Sequence, residues 1–239
     1  MNDTRLLPQL YTVTGPISPD TVGTIDGHSH TWIDSIGAME MSAPVLNSEP
    51  TLIAGLRAFK AAGGGGVIDC QPGGCGRNGN KLLHLSETSG VVIVAATGFH
   101  LRRYYPPDPV LFTESVIAAS QLFVEELTSN LKETPMRENP VRAGFIKIAC
   151  EATLTQTPLN LVEAAVQASL RTDAAIEVHT ERGADVEQIV QFMLDAGLPA
   201  RKLILCHVDK RPDFALHCHL AQAGIGLEYD TFFRFKYDP

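Results

Sequence analysis

Four of the eight histidines in this 239-residue chain stand at or just past the ends of short apolar runs. His28 and His30 follow one in Asp26-Gly27-His28-Ser29-His30, His179 closes Ile176-Glu177-Val178-His179, and His207 closes Leu203-Ile204-Leu205-Cys206-His207. Lys147 lies inside another run, Gly144-Phe145-Ile146-Lys147-Ile148-Ala149. Residues two apart on a strand face the same side, so His28 and His30 present two imidazoles together. Paired neutral imidazoles suit Zn²⁺ or a similar divalent ion. An ammonium between Phe145, Ile146 and Ile148 is costly unless it is paired or chemically changed. One histidine at a strand end is most often an ordinary hydrogen-bonded side chain. Four of them with a lysine point to a metal centre. His100, in Thr97-Gly98-Phe99-His100, falls where it could touch a substrate. His84, His217 and His219 fall in helical stretches and are read as surface or packing residues.

The runs that carry these residues alternate with amphipathic stretches. Strands are predicted at 22–28, 66–70, 91–97, 143–149, 175–179, 202–207 and 225–230. Helices are predicted at 51–62, 80–89, 110–131, 160–172, 185–196 and 212–223. Several strands are continuously apolar, as parallel strands covered on both faces are. Repeated β/α units of this kind predict an α/β fold, a (β/α)₈ TIM barrel whose strand ends converge on one face. A doubly wound open sheet is the alternative. The only glycine run, Gly63-Gly64-Gly65-Gly66, follows a helix and precedes a strand, the reverse of a phosphate loop, and reads as a flexible helix stop.

The composition narrows the function classes. The chain is 44% hydrophobic and 19% charged, with a formal net charge of -8, so it reads as one globular domain over residues 1–239. No basic block suggests a nucleic-acid groove, and no apolar run approaches a membrane span. The first ten residues lack the pattern of a signal peptide. Five cysteines without a regular framework suit a reducing compartment, and the cytoplasm is expected. Cys70 and Cys75 lack the second pair that a zinc knuckle needs.

Taken in order, these segments resemble the phosphotriesterase family of the amidohydrolase superfamily, in its lactonase-like and phosphotriesterase-homology branches. The resemblance runs from about residue 11 to 232. It rests on Thr14-Gly15-Pro16-Ile17, Asp26-Gly27-His28-Ser29-His30, Gly74-Cys75-Gly76-Arg77-Asn78, Ala95-Ala96-Thr97-Gly98, Ala143-Gly144-Phe145-Ile146-Lys147, Val178-His179-Thr180 and Cys206-His207. It implies a distorted barrel holding two divalent ions, Zn first, with Mn, Co or Fe accepted by the same ligands. By carry-over, His28 and His30 bind the buried ion, and His179 and His207 the more exposed one. Lys147, carboxylated by CO₂, bridges both. A hydroxide between the ions is then the nucleophile, and the exposed ion polarises a carbonyl or phosphoryl oxygen. The implied catalytic set is Lys147, His179 and His207, acting on a small-molecule lactone or other ester, or on a phosphotriester. The family also implies a homodimer, with no interface legible in the sequence.

The family often carries a Gly-Arg pair where Arg77 stands, which implies a structural or a substrate-contacting role; His100, at the rim after the third strand, and Tyr104 and Tyr105, in the loop that follows, could contact a substrate. Arg102, Arg103, Arg234 and Lys236 would suit an anionic substrate, and equally an ordinary surface. Asp230 matches a family position beside the ligands, and Asp209 lies in the loop after His207; both could support a proton path. Two departures stand out. Ser29 replaces the usual acid between the paired histidines. The family also has an Asp at the end of an eighth strand, and too few residues follow the seventh predicted strand to supply it. The barrel is therefore expected to be truncated after strand seven, with impaired folding and turnover. Two other readings compete. One is a TatD-type metal-dependent phosphodiesterase, disfavoured because its strand-four Glu would have to be Glu151, four residues beyond Lys147. The other is a barrel fragment or pseudoenzyme that still binds metal.

Overall fold

The computed structural model describes residues 9–135 and 138–232. Seven parallel strands pair in chain order: β3 (Thr24–Ser29), β4 (Gly64–Asp69), β5 (Val92–Gly98), β6 (Ala143–Ala149), β7 (Ile176–His179), β8 (Leu203–Leu205) and β9 (Gly226–Leu227). Six α-helices connect or follow them among the described residues: α1 (Glu49–Ala61), α2 (Gly79–Ser89), α3 (Val116–Thr128), α4 (Leu159–Thr172), α5 (Val186–Asp195) and α6 (Phe214–Gln222). The sheet curls, because His28 at one edge meets Glu228, just beyond the other, at 3.2 Å. This is the expected TIM-barrel architecture, seven parallel strands of it. A short antiparallel hairpin, β1 (Leu10–Thr12) with β2 (Gly15–Ile17), was not anticipated. Leu10 packs against the apolar cluster of Cys70, Val94, Ala96 and Phe145.

Strand parity sorts the side chains. On β6, Ile146 and Ile148 join the main core, packed with helix residues such as Phe123, Leu161 and Ile189. Phe145 and Lys147 have the opposite parity and turn to the concave side. On β7, Ile176 and Val178 likewise join the main core, which leaves Glu177 and His179 on the inner side. Thus a run that reads as uniformly apolar delivers one ammonium to the barrel interior.

Several boundaries differ from expectation. The stretch 110–131 divides into a short turn, Val110–Thr113, and α3; Ser115 caps α3 by accepting from Ala118 N at 3.2 Å. The strands at 202–207 and 225–230 shrink to three and two residues. Just beyond them Glu228 N still donates to Leu205 O at 2.8 Å and Cys206 N to Val178 O at 2.9 Å, while the Glu228 and Asp230 side chains turn to the histidines. The glycine run is not a flexible stop: Gly64–Asp69 is strand β4. A Cβ on Gly65 would lie 1.6 Å from the Val22 carbonyl oxygen, so glycine is required by close approach of two backbones. No helix of the described residues is long and apolar enough to cross a membrane.

Candidate metal centre

His28 and His30 leave the end of β3, His179 ends β7, and His207 follows β8. Their rings converge: centroids lie 5.9 Å apart for His28–His30, 4.7 Å for His28–His207 and 4.8 Å for His179–His207. His207 adopts a left-handed backbone at φ 61°, an uncommon conformation for a non-glycine residue. Its backbone N donates to Asp230 Oδ1 at 3.0 Å, which holds it there.

Carboxylate and amide partners orient the rings and favour particular tautomers. His207 Nδ1 donates to Asp230 Oδ1 at 2.9 Å, leaving Nε2 a lone pair that faces His179 Nδ1 at 3.0 Å. His179 Nε2 points to Glu181 Oε1 at 3.5 Å. His30 Nδ1 donates to Gln71 Oε1 at 2.7 Å, because the Gln71 amide nitrogen is committed to the Cys75 carbonyl. Carboxylate or amide partners on the far nitrogen are the usual support of metal-ligating imidazoles. Burial keeps His179 neutral, with its pKa lowered to about 4, and pushes His28 and His100 down as well.

Lys147 is buried, and Nζ lies 2.6 Å from Glu177 Oε1 and 3.0 Å from Cys206 Sγ. Burial works against its charge, while Cys206, Cys70 and Glu177 work for it; the net direction is upward, so Nζ is an ammonium. Glycine at 98 lets β5 approach it, since a Cβ there would sit 2.0 Å from the Lys147 carbonyl oxygen. Glu177 also accepts from Cys70 Sγ at 3.0 Å and lies 3.3 Å from His28 Nδ1. Burial, with Glu177 nearby, raises Glu228 to about 7. Two groups therefore bring ligand atoms within 4.8 Å of one another among the described residues: His28, His207 and Asp230, and His28, Glu177, Cys206 and Glu228. Asp230 Oδ2, buried, lies 2.7 Å from His207 Nδ1 and 3.4 Å from His28 Nδ1. Such a set of imidazole, thiol and carboxylate donors fits divalent cations.

A cavity of about 390 Å³ opens over these rings. His28, His30, Gln71, His179 and His207 contribute to its polar side, with His100 and Tyr104 also lining it. His100 Nδ1 accepts from Leu101 N at 2.7 Å, which leaves Nε2–H as a donor, and Tyr104 packs edge-on at 4.8 Å.

Other expected contacts lie elsewhere. Arg77 does not line the cavity. Its guanidinium is wholly buried and bonded to Glu126, Glu133 and the Ala96 carbonyl, which fits the structural one of the two roles expected of it. Tyr105 is buried, accepting from His100 N at 3.1 Å. Asp209 accepts from Thr231 N and Oγ1 and braces the chain after β9. Arg103 pairs with Glu151 and Glu181. Arg234 and Lys236 lie outside the described residues. Glu177, Glu228, Gln71 and the segment after His30 went unnoticed in the sequence. Strand parity with His179 was the one available signal, and it applied to Glu177.

The chain is similar to several known proteins over nearly its whole length. The chain is 24% identical over 250 residues to a phospho-furanose lactonase of Mycoplasmopsis agalactiae, covering 95% of this chain and 68% of that protein. It is 24% identical over 257 residues to the N-acetyltaurine hydrolase of Xenopus tropicalis, covering 94% and 72%. Among solved structures, an amidohydrolase of Mycoplasma synoviae superposes with a TM-score of 0.86 at 23% identity, covering 98% of this chain and 70% of the other. A lactonase of Listeria monocytogenes superposes at 0.83 and 20% identity, covering 97% and 75%. The parallel sheet, the histidines at its strand ends and a family match over residues 8–239 lead to one assignment: the chain belongs to the phosphotriesterase family.

Proposed function

We propose that the chain is a divalent-metal-dependent hydrolase that opens a lactone or cleaves a related carboxylic ester. The observation that carries this is the His179–His207–Asp230 arrangement. Two imidazole nitrogens face one another at 3.0 Å, while Asp230 and Glu181 occupy the far nitrogens. With the far nitrogens donating to Asp230 and Glu181, the facing nitrogens would both carry lone pairs, and a cation between them would remove their repulsion. In this reading His179 and His207 hold one ion, and His28 and His30 hold another. The ions would be Zn, with Mn, Co or Fe accepted by the same ligands.

Lys147 is the residue that would hold both ions as a carbamate. Carboxylation of the ammonium would form an N–C bond between Nζ and the carbon of CO₂, convert one C=O to a carboxylate oxygen, and release two protons to water. The 2.6 Å contact with Glu177 then joins two anions instead of an ion pair, and two divalent cations offset that charge. Bound divalent ions supply Lewis acidity toward the carbonyl oxygen and hydroxide at neutral pH. The chain's own residues do the rest. Asp230 fixes the His207 ring, Glu228 lies against His28 Nδ1, and His100 offers a neutral N–H to a substrate oxygen. The relatives named as lactonases support cleavage of a carboxylic ester, and the N-acetyltaurine hydrolase, whose named substrate is an amide, supports attack at a carboxylic carbonyl.

The test is metal content by elemental mass spectrometry on protein purified without added metal, alongside hydrolysis of a lactone panel. About two divalent ions per chain is expected, with hydrolysis lost on chelation and restored by Zn²⁺. Failure to bind divalent ions at saturating Zn²⁺, or undiminished hydrolysis by chelated protein, overturns the reading.

A further inference from the structure

The barrel interior buries a thiol against an amine. Cys206 follows β8, and Lys147 reaches it from β6, past the intervening strand β7. Nζ and Sγ lie 3.0 Å apart. Lys147 is 1% exposed and Cys206 0%, so bulk water does not separate them. Glu177 of β7 joins both, its Oε1 accepting from Nζ at 2.6 Å and from Sγ at 3.2 Å. The carboxylate therefore holds the two groups side by side, and neither can swing away without leaving a buried polar partner unpaired.

Other buried thiols have different neighbours. Cys70 Sγ meets the Glu177 carboxylate and the Ile68 carbonyl, and Cys75 Sγ meets the Pro72 carbonyl and the Gln71 amide. Carboxylates, carbonyls and amides are poor nucleophiles toward sulfur, whereas an amine is a good one. A thiol oxidised to the sulfenic acid condenses with a nearby thiol or nitrogen. The 3.0 Å between Nζ and Sγ falls within the separation of about 3–3.5 Å that reacting atoms need. Cys206 Sγ also lies within 4.8 Å of a His28 ring nitrogen, and His28 lines the cavity of about 390 Å³. A molecule as small as hydrogen peroxide has one ring to pass.

We propose that Lys147 and Cys206 are a modification site, where hydrogen peroxide forms a reversible sulfenamide cross-link between Nζ and Sγ. Sγ attacks the peroxide: an S–O bond forms, the O–O bond breaks, and the thiol proton leaves in water. Sulfur is oxidised by two electrons and the peroxide is reduced. Nζ passes one proton to Glu177 Oε1 and attacks Sγ. The S–N bond forms, the S–O bond breaks, and hydroxide departs as water with a second proton from Nζ. One thiol, one ammonium and one peroxide thus give the link, two waters and one proton. A thiol reductant in excess returns both side chains. The link goes beyond the hydrolase reading and does not depend on it. Its consequence does: the lone pair that joins sulfur cannot take up CO₂, so oxidation and carboxylation of Lys147 exclude one another.

Tryptic peptide mapping of the metal-free full chain after peroxide treatment tests it. The link removes two hydrogens, a loss of about 2 Da. It also blocks cleavage after Lys147 and joins residues 143–171 to residues 203–210, and dithiothreitol reverses all three changes. Lys147→Met and Cys206→Ser should each abolish the joined peptide, and the wild-type map decides if either variant fails to fold. Met41, fully exposed, reports the peroxide dose as its sulfoxide. Cys206 still a free thiol when Met41 is oxidised, or found as a sulfinic acid or in a disulfide, overturns the inference and leaves the hydrolase reading standing. Preloading with Zn²⁺ and bicarbonate should slow the link by about tenfold or more, because Nζ is then occupied. An undiminished rate leaves the link standing and removes Lys147 as the bridge between the ions.

Discussion

Replacing Arg77 by Met separates a structural role from a catalytic one. Arg77 Nη1 bonds Glu126 Oε2 at 2.9 Å and the Ala96 carbonyl at 2.6 Å, and Nε and Nη2 both reach Glu133 at 2.7 Å. The Glu126 side chain is 5% exposed, whereas that of Glu133 is 28% exposed and regains water when the arginine leaves. The cost therefore falls on Glu126, a buried carboxylate left with Thr97 Oγ1 and Lys132 N as donors. Breaking a buried ion pair by removing one partner costs about 3–5 kcal/mol. For a chain of this size that lowers the thermal midpoint by roughly 10 °C. Circular dichroism melting of Arg77→Met measures it, and the double variant Arg77→Met with Glu126→Leu should recover most of the loss, because the orphaned charge is gone. Lactone kcat/KM below the melting transition should stay near wild type. An unchanged midpoint with a collapsed kcat/KM would refute the reasoning and return Arg77 to the substrate site.

Asp230→Asn keeps the size of the side chain but weakens its hold on His207 Nδ1, so metal affinity should fall about 10- to 100-fold by calorimetric titration; unchanged affinity would remove Asp230 from the centre. Asp69, fully buried and accepting from Thr31 N and Gln71 N, has its pKa raised to about 6 by burial. Its folded value lies above its unfolded one, so its contribution is complete below about pH 4 and is lost as pH rises through about 6. That is worth roughly 3 kcal/mol. Denaturant titrations of Asp69→Asn across this window should show that component of the slope removed, and an identical pH profile would contradict it.

The barrel was legible because its information is local. Continuous apolar runs at the spacing of β/α units require parallel strands covered on both sides, and the order of His28, His30, Lys147, His179 and His207 along those runs named the family. The elements that ended early are those whose last residues do something else. Residues 206 and 207 look like strand, but His207 turns left-handed so that backbone and ring both reach Asp230. Residues 228–230 look like strand, but their carboxylates turn toward His28 and His207.

Tertiary structure alone decided the partners. Glu177 is thirty positions from Lys147, and Glu228 two hundred from His28. The parallel register of β6 and β7 sets Glu177 beside Lys147 at 2.6 Å, and the curl of the sheet brings Glu228 to His28 at 3.2 Å. The same holds for Arg77, whose position after a strand left a structural and a substrate role open. Its surroundings, two glutamates from around α3, are set by helix packing that no spacing rule encodes. Residue type and periodicity thus determined which side chains face inward. Which charges meet there depends on distances across the barrel, and sequence separation carries no record of those.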